Sequence, residues 1–159
     1  MNNKNSFEII PIDDILVKNV NRSTIKFDQD RIEKIWEKIC YKKNNKLFNG
    51  KVLTFVNSFT QNNTLILEGS FVDYKLVISS RSEPSLGLKI QQIGVSGITF
   101  VNDDDVEYVL FSTRSSKNTE YPNFLELVPS GNIDISALKS DETVDYSGKL
   151  IEEFTEETG

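Results

Sequence analysis

Apolar residues recur at helical spacing in the first third of the chain. Four of them stand at positions i, i+3, i+4 and i+7: Ile32, Ile35, Trp36 and Ile39. This spacing places them on one face of a helix. Asp28 or Asp30 precedes the run and suits the N-cap position, where a carboxylate accepts hydrogen bonds from the first turn. The pattern predicts a helix over about residues 28–43 with one stripe facing a core.

Runs rich in β-branched and aromatic residues follow. Residues 52–59 and 64–71 flank the polar stretch Gln61-Asn62-Asn63, which predicts a β-hairpin over about residues 52–71. Residues 72–80 fit either a further strand or a short helix, because the apolar pattern there matches both periods. Residues 81–87 (RSEPSLG) have the composition of a loop, and an internal boundary is placed there.

The second half of the chain predicts short strands and one more helix. The apolar stretches at 89–101, 106–113 and 124–128 are interpreted as strands, with an acidic turn over 102–105 between the first two. Residues 129–131 (PSG) predict a tight turn and 135–142 a polar connection. A final helix is expected to begin near Asp145 or Ser147.

This final helix combines an apolar stripe with a cluster of carboxylates. Leu150 and Phe154 are four residues apart and share one face. Glu153, Glu156 and Glu157 fall on an adjacent arc about 100° wide. Three carboxylates this close repel one another unless a cation lies among them, and hard divalent ions prefer oxygen ligands. The alternative interpretation is a solvated acidic surface.

The end of the chain resembles the Nudix hydrolase signature, in which a glycine-rich turn precedes a helix with the pattern R-E-U-x-E-E-x-G, U being a bulky aliphatic residue. Phe154 stands at U, and the last three acidic positions and the glycine are matched by Glu153, Glu156, Glu157 and Gly159. Upstream, FLELVPSGNID at residues 124–134 is similar to the strand and turn before the Nudix helix. Gly131 takes the place of the first motif glycine. The resemblance covers about residues 94–159.

Three features depart from the motif. Glu152 stands where the motif has arginine, and the connection from Gly131 to the helix is longer than in the signature. The middle motif glutamate has no direct counterpart, since Val144 holds its place, with Glu142 and Asp145 nearby. A longer connection also occurs in the UDP-glucose-hydrolase-like branch of the family, which has stretches similar to LFNG at 47–50 and DYK at 73–75.

The resemblance implies an α+β fold, a Nudix-like α/β/α sandwich with a mixed sheet. Residues 89–159 would form the first half of this domain, preceded by a small α/β region over residues 1–88. In the family, further strands and a second packing helix follow the motif. The expectation is therefore a fold incomplete at its C-terminus, belonging to a longer protein or completed by a homodimer or another partner, or a function that needs no complete fold.

The implied activity is metal-dependent hydrolysis of a nucleoside diphosphate joined to another group, such as a UDP-sugar. Glu153, Glu156 and Glu157 would be the catalytic residues and the ligands of Mg²⁺ or Mn²⁺. The substrate-binding candidates are Arg114 for a phosphate, Gly131 for close backbone approach, and Tyr121 for stacking on a base. Phe124 fits the core better than a stacking role.

Two alternatives stay open at this point. Glu152 cannot orient acidic neighbours as the motif arginine does, which favours a catalytically inactive Nudix-like domain that binds a nucleotide. The other alternative is a protein-interaction domain with an acidic helix.

Composition narrows the classes of function. The 159 residues carry a net charge of −6, which argues against binding a nucleic acid polymer. The absence of histidine from the sequence removes Ser-His and Cys-His nucleophilic schemes. A single cysteine, Cys40, excludes an intramolecular disulfide. The sequence has no membrane-length apolar run and no signal-peptide core at residues 1–6, so the cytoplasm is the expected location.

Overall fold

A computed structural model describes residues 14–21, 25–43, 47–116 and 121–159. The fold of this part is α+β, with three α-helices and several small sheets. The α-helices are α1 (Gln29–Lys42), α2 (Tyr74–Ser82) and α3 (Tyr146–Thr158). The strands β1 to β4 are Asp14–Asn19, Lys51–Gln61, Thr64–Asp73 and Gly94–Ser96. The strands β5 to β9 are Phe100–Asp103, Val106–Val109, Phe111–Thr113, Leu125–Leu127 and Ser130–Asn132.

The first three strands form a mixed sheet. β3 lies in the centre, parallel to β1 and antiparallel to β2. Asn62 and Asn63 both adopt positive φ at the turn between β2 and β3, a conformation that asparagine tolerates better than most residues. The predicted hairpin is therefore confirmed. The predicted first helix is also confirmed, and the Asp28 carboxylate caps it by accepting a hydrogen bond from the Arg31 N–H at 3.0 Å.

The strands of the second half pair two by two. β4 pairs with β9, β5 with β6, and β7 with β8, all antiparallel. Asp104 and Asp105 turn the β5–β6 hairpin with positive φ at both residues, so the predicted acidic turn is confirmed. Residues 72–80, for which the sequence left two possibilities open, belong mainly to α2. The final helix begins as predicted, after Asp145.

Two predicted strands are wrong in extent, because each divides into two. Residues 89–101 contain β4 and the start of β5, and the chain leaves the β4 ladder after Ser96. There the Gly97 N–H donates to the Pro129 carbonyl and the Thr99 hydroxyl to the Val128 carbonyl. Leu110 likewise separates β6 from β7, since its N–H donates to the Thr99 carbonyl.

The predicted tight turn at 129–131 is also wrong, because Ser130 and Gly131 lie in β9. Gly131 stands opposite Val95 of β4. The polar connection after β9 includes a short 3-10 helix over Ile135–Ala137. These corrections matter for function, since β9 lies against α3.

The core lies on the mixed sheet and draws on both halves of the chain. One buried cluster joins Val17 and Leu53 to Ile133, Ala137 and Val144. A second cluster packs α1 and α2 against the sheet, around Ile32, Val52, Leu76, Val77 and Ile90. The backbone also crosses between the halves, because the Leu53 N–H donates to the Ile133 carbonyl at 2.8 Å. The division into residues 1–88 and 89–159 stays a prediction, as does the Nudix-like sandwich.

Apolar side chains are exposed on the β5–β8 hairpins. They include Phe100, Tyr108, Phe111 and Leu125, each more than half exposed. Within the described ranges, none of the helices has the length and apolar character that crossing a membrane requires.

Candidate active site

Helix α3 carries the predicted carboxylates, and its sequence explains where it starts. The Asp145 carboxylate accepts a hydrogen bond from the Gly148 N–H at 3.0 Å and caps the first turn. Glu153 and Glu157 follow one helical turn apart, so both side chains leave the same face. Both line one cleft. Glu156 lies on the exposed side of the helix and is outside the described lining of this cleft.

The cleft has a volume of about 1020 Å³. Strands β4 and β9 both line it along their full length, and β9 packs against α3. Arg114 and Glu126 line it near the Ser130 end of β9, because the Ser130 hydroxyl donates to the carbonyl of Leu127, the neighbour of Glu126. Residues from the N-terminal half contribute as well, namely Phe48, Gly50, Lys51, Val52 and Tyr74.

Gly131 lies directly beneath the Glu153 side chain. A Cβ atom at residue 131 would stand 2.1 Å from Glu153 Cδ and 2.3 Å from its Oε1. Only glycine leaves room for the carboxylate in this position. Gly131 therefore allows close approach, and the group that approaches is the Glu153 carboxylate.

A buried cation, Lys149, holds the acidic residues around α3. Its side chain is only 9% exposed, and its Nζ lies 2.9 Å from Asp134 Oδ2, 2.9 Å from Glu152 Oε2 and 3.8 Å from Glu153 Oε1. Burial alone would lower the pKa of Lys149, but the carboxylates of Asp134 and Glu152 outweigh burial and raise that pKa well above its usual range. Lys149 was not among the residues predicted from the sequence, although its spacings to Glu152 (i, i+3) and Glu153 (i, i+4) are those of helical ion pairs.

Arg114 forms an ion pair with Glu126 at the β7–β8 end of the cleft. The two residues are brought together because Thr113 pairs with Leu125 across the hairpin and the Arg114 N–H donates to the Phe124 carbonyl at 2.9 Å. Both side chains are partly buried. The charge of Glu126 raises the pKa of Glu157, and the charge of Arg114 lowers it. Arg114, Glu126 and Glu157 therefore share one end of the cleft.

The two cleft-lining carboxylates of α3 sit in an environment that disfavours their charge. Burial raises the pKa of Glu153; Lys149 opposes this rise, while the charges of Glu156 and Glu157 add to it. Burial also raises the pKa of Glu157, against a hydrogen bond from the Ser130 backbone, and the charge of Glu126 adds to the rise. Both carboxylates would be stabilised by a cation bound between them.

Three other residues singled out from the sequence lie outside the described lining of the cleft. Tyr121 is exposed, and its ring packs edge-on against Phe124 with the ring centroids 5.8 Å apart. The expectation that Phe124 lies in the core is wrong, because this side chain is also exposed. Glu142 accepts a hydrogen bond at 2.6 Å from the side chain of Asn19, which is distant from it in the sequence. Asp145 serves as the helix cap. The structure thus brings together Glu153, Glu157, Arg114 and Gly131, and leaves Glu156 and Tyr121 apart from them.

The cleft offers carboxylate oxygens, the donor type that a hard divalent cation prefers. Glu153, Glu157 and Glu126 offer carboxylate oxygens to one cleft. Within the described residues, no group of three acidic, histidine or cysteine side chains lies close enough together to hold a metal ion by itself. Mg²⁺ is usually held by one or two carboxylates together with water and substrate phosphates, and Glu153 and Glu157 supply two.

Comparison of the sequence with protein-family models and with curated proteins gives no match.

Replacing Glu153 by glutamine should stabilise the metal-free protein at neutral pH. The native state holds the Glu153 proton more tightly than the unfolded chain, because the pKa of this carboxyl is raised. Stability therefore falls as the pH rises from the ordinary glutamate pKa, about 4.3, through the raised value. We expect Glu153→Gln to raise Tm at pH 7.5 in EDTA, and this gain to vanish near pH 4.

Calorimetry at the two pH values checks this, with Glu37→Gln on the exposed side of α1 as the control. Added Mn²⁺ should raise the Tm of the wild type more than that of Glu153→Gln. A lower Tm for the variant at pH 7.5 in EDTA would contradict the description of Glu153 as a destabilised carboxylate.

Proposed function

We propose that the cleft binds a nucleoside diphosphate joined to another group, such as a UDP-sugar, and hydrolyses its diphosphate linkage with the help of Mg²⁺ or Mn²⁺. The observation that supports this most directly is the convergence of Glu153, Glu157 and Arg114 on one cleft. The close fit of Glu153 on Gly131 supports it further, because each of these residues matches a position of the motif that the chain resembles.

The charged residues in and beside the cleft have roles that follow from their chemistry. Glu153 and Glu157 would hold the metal ion, and Glu126 stands close enough to Glu157 to influence its charge. The metal ion, when bound, neutralises the phosphate charge and the charge that develops during hydrolysis. Arg114 offers the planar guanidinium that suits phosphate oxygens. Lys149 forms ion pairs with Glu153, on α3, and with Asp134, which follows β9, and so positions both carboxylates.

The test is hydrolysis of a panel of substrates by the whole chain, with and without Mg²⁺ or Mn²⁺. The panel comprises UDP-glucose, ADP-ribose, NADH, dinucleoside polyphosphates and nucleoside triphosphates. We expect metal-dependent release of a nucleoside monophosphate from at least one diphosphate derivative. No hydrolysis and no metal-dependent nucleotide binding would show that the proposal is wrong.

The metal site is tested separately by Mn²⁺ titration followed by electron paramagnetic resonance. We expect Glu157→Gln to weaken Mn²⁺ binding about tenfold or more, as removal of groups that support a metal site does. Glu37→Gln, which changes the net charge by the same amount, should bind Mn²⁺ as the wild type does. Weaker Mn²⁺ binding by Glu156→Gln would support the ligand set implied by the resemblance, which includes Glu156. Unchanged binding would support the pair that lines the cleft.

A second candidate is a nucleotide-binding domain without turnover. The position of Glu156 outside the described lining of the cleft favours it, because the resemblance implies three carboxylate ligands and the lining includes two of them. Metal-dependent nucleotide binding without release of product would support this candidate over the hydrolase.

A further inference from the structure

The cleft extends well beyond the carboxylates of α3, and its length can be estimated along β9, which lines it. At its Ser130 end, β9 lies beside Glu157 and Glu126. Beyond its other end, Asp134 forms a bridge with Val52 of β2. Asp134 is four residue steps along the chain from Ser130, a span of about 13 Å at the rise of a β-strand. This is long enough for a diphosphate and a nucleoside laid end to end.

The far end of the cleft is built by the N-terminal half of the chain. Phe48, Gly50, Lys51, Val52 and Tyr74 all line it there. They are held in place by the turn before β2, where the Tyr74 N–H donates to the Gly50 carbonyl at 2.8 Å and the Lys75 N–H donates to the Asn49 side chain at 2.9 Å. The turn and the start of α2 therefore fix this wall relative to each other.

The chemistry of this wall differs from that of the α3 end. Phe48 is 83% exposed although it lines the cleft, and its ring lies over Gly50, where a Cβ would stand 3.2 Å from Cε1. Tyr74 adds a second aromatic ring, and Lys51 adds an exposed cation with hydrogen-bond donors. Aromatic rings with adjacent donors are the usual means of holding a flat base, because bases stack on them.

We propose that Phe48, Lys51 and Tyr74 form the binding site for the nucleoside half of the ligand, with the base stacked on Phe48. The inference rests on the proposed function, because it takes the diphosphate to lie at the α3 end of the cleft. It assigns a role to the N-terminal half of the chain. It also moves the base-stacking role from Tyr121, which the structure leaves outside the described lining, to Phe48.

The test compares UDP with inorganic pyrophosphate, which shares the diphosphate but lacks the nucleoside. Both are titrated in the presence of Mn²⁺, by calorimetry and by the fluorescence of Trp36, the single tryptophan of the chain. Trp36 reports on this wall because its ring lies edge-on to Tyr74, with centroids 6.4 Å apart. We expect UDP to bind more tightly than pyrophosphate and to change the Trp36 emission.

Phe48→Ala should weaken UDP binding about tenfold, within the range for loss of one base-stacking contact, and leave pyrophosphate binding unchanged. Phe48→Tyr keeps an aromatic ring and should restore UDP affinity. Phe100→Ala, which removes another exposed phenylalanine on the β5–β6 hairpin, is the matched control and should change neither affinity.

The outcomes separate this inference from the proposed function. Metal-dependent hydrolysis with the same KM for a nucleoside substrate in Phe48→Ala and wild type would overturn the inference alone. Equal losses of UDP and pyrophosphate affinity in Phe48→Ala would also overturn it, since the residue would then act on the fold or on the phosphates. Failure of the wild type to bind UDP or pyrophosphate, with no hydrolysis, would overturn both proposals.

Discussion

Gly131→Ala is expected to lower kcat/KM about a hundredfold while the protein stays folded. The new Cβ would stand 2.1 Å from Glu153 Cδ, and carbon atoms pack at about 3.5–4.0 Å. The carboxylate must therefore move by about 1 Å or more, and misplacement on this scale costs about a hundredfold in rate. The backbone itself tolerates alanine, because residue 131 lies in β9 as ordinary strand. The measurements are steady-state kinetics on the best substrate of the panel and thermal unfolding.

The thermal midpoint of Gly131→Ala should stay within about 3 °C of the wild type. Alanine restricts the unfolded chain relative to glycine and adds about 0.4–1 kcal/mol of stability, which offsets the cost of moving a flexible side chain. A double-mutant cycle with Glu153→Ala identifies the cause. In that background Gly131→Ala should have no further effect on Mn²⁺ affinity. An equal loss of affinity in both backgrounds would mean that Gly131 acts through the β4–β9 pair instead of through Glu153.

Lys149→Met is expected to destabilise the protein by about 2 kcal/mol at neutral pH. Methionine fills the space of the lysine stem but leaves Asp134 and Glu153 without their buried cation. Removing one partner of a fully buried pair costs about 3–5 kcal/mol; the value here is reduced because Asp134 is 41% exposed and is partly screened by solvent. The expected loss in Tm is about 4–8 °C for a chain of this size.

The pH dependence of the Lys149→Met effect has a definite sign. Burial alone would raise the pKa of Asp134, but hydrogen bonds from Ser136 and Lys149 outweigh burial and lower it. A lowered carboxyl pKa stabilises the fold above the ordinary aspartate value, and the stabilisation is lost as the pH falls through the native value. The raised pKa of Lys149 stabilises the fold below the ordinary lysine value for as long as Asp134 and Glu152 remain ionised. The difference between wild type and Lys149→Met is therefore greatest near pH 7 and shrinks below about pH 4.

Two further variants sharpen the Lys149 measurement. Lys149→Arg keeps the charge and should recover most of the stability, as measured by urea unfolding at pH 7. Adding Asp134→Asn to Lys149→Met removes the unpaired charge and should recover part of it. A Lys149→Met protein as stable as the wild type at pH 7 would mean that the three carboxylates around Nζ do not depend on this cation.

Local patterns were sufficient to predict the elements whose contacts are short in sequence. The stripe from Ile32 to Ile39 predicted α1, and the two asparagines at 62 and 63 predicted the turn of the β2–β3 hairpin. Residues 89–101 were predicted as one strand because apolar periodicity does not register a distant partner. β4 pairs with the distant β9 over Gly94–Ser96, and the strand ends there because the next N–H, that of Gly97, donates to the Pro129 carbonyl instead.

The residues of the site that lie on α3 were predictable from their spacing, whereas their contacts with distant segments of the chain were not. Glu153 and Glu157 share a face by spacing alone, and the same spacing rule, applied to Lys149, would have identified the cation beside them. Its bond to Asp134 was not predictable, because it requires the turn at Asp134–Ala137 to return the chain to α3. The contribution of Phe48 and Lys51 to the cleft was also not predictable, since it depends on long-range contacts between β2 and residues 133 and 134.

The ion pair of Arg114 with Glu126 also bears on which anions would bind at this end of the cleft. An anion that approaches Arg114 meets a guanidinium whose charge is already balanced by a partly buried carboxylate. A singly charged ion such as chloride or acetate gains little by displacing Glu126, because one negative charge merely replaces another. The diphosphate of the proposed function would carry several charges and would come with a divalent cation that Glu126 could contact. On that proposal, the ion pair would favour multiply charged anions over singly charged ones at Arg114.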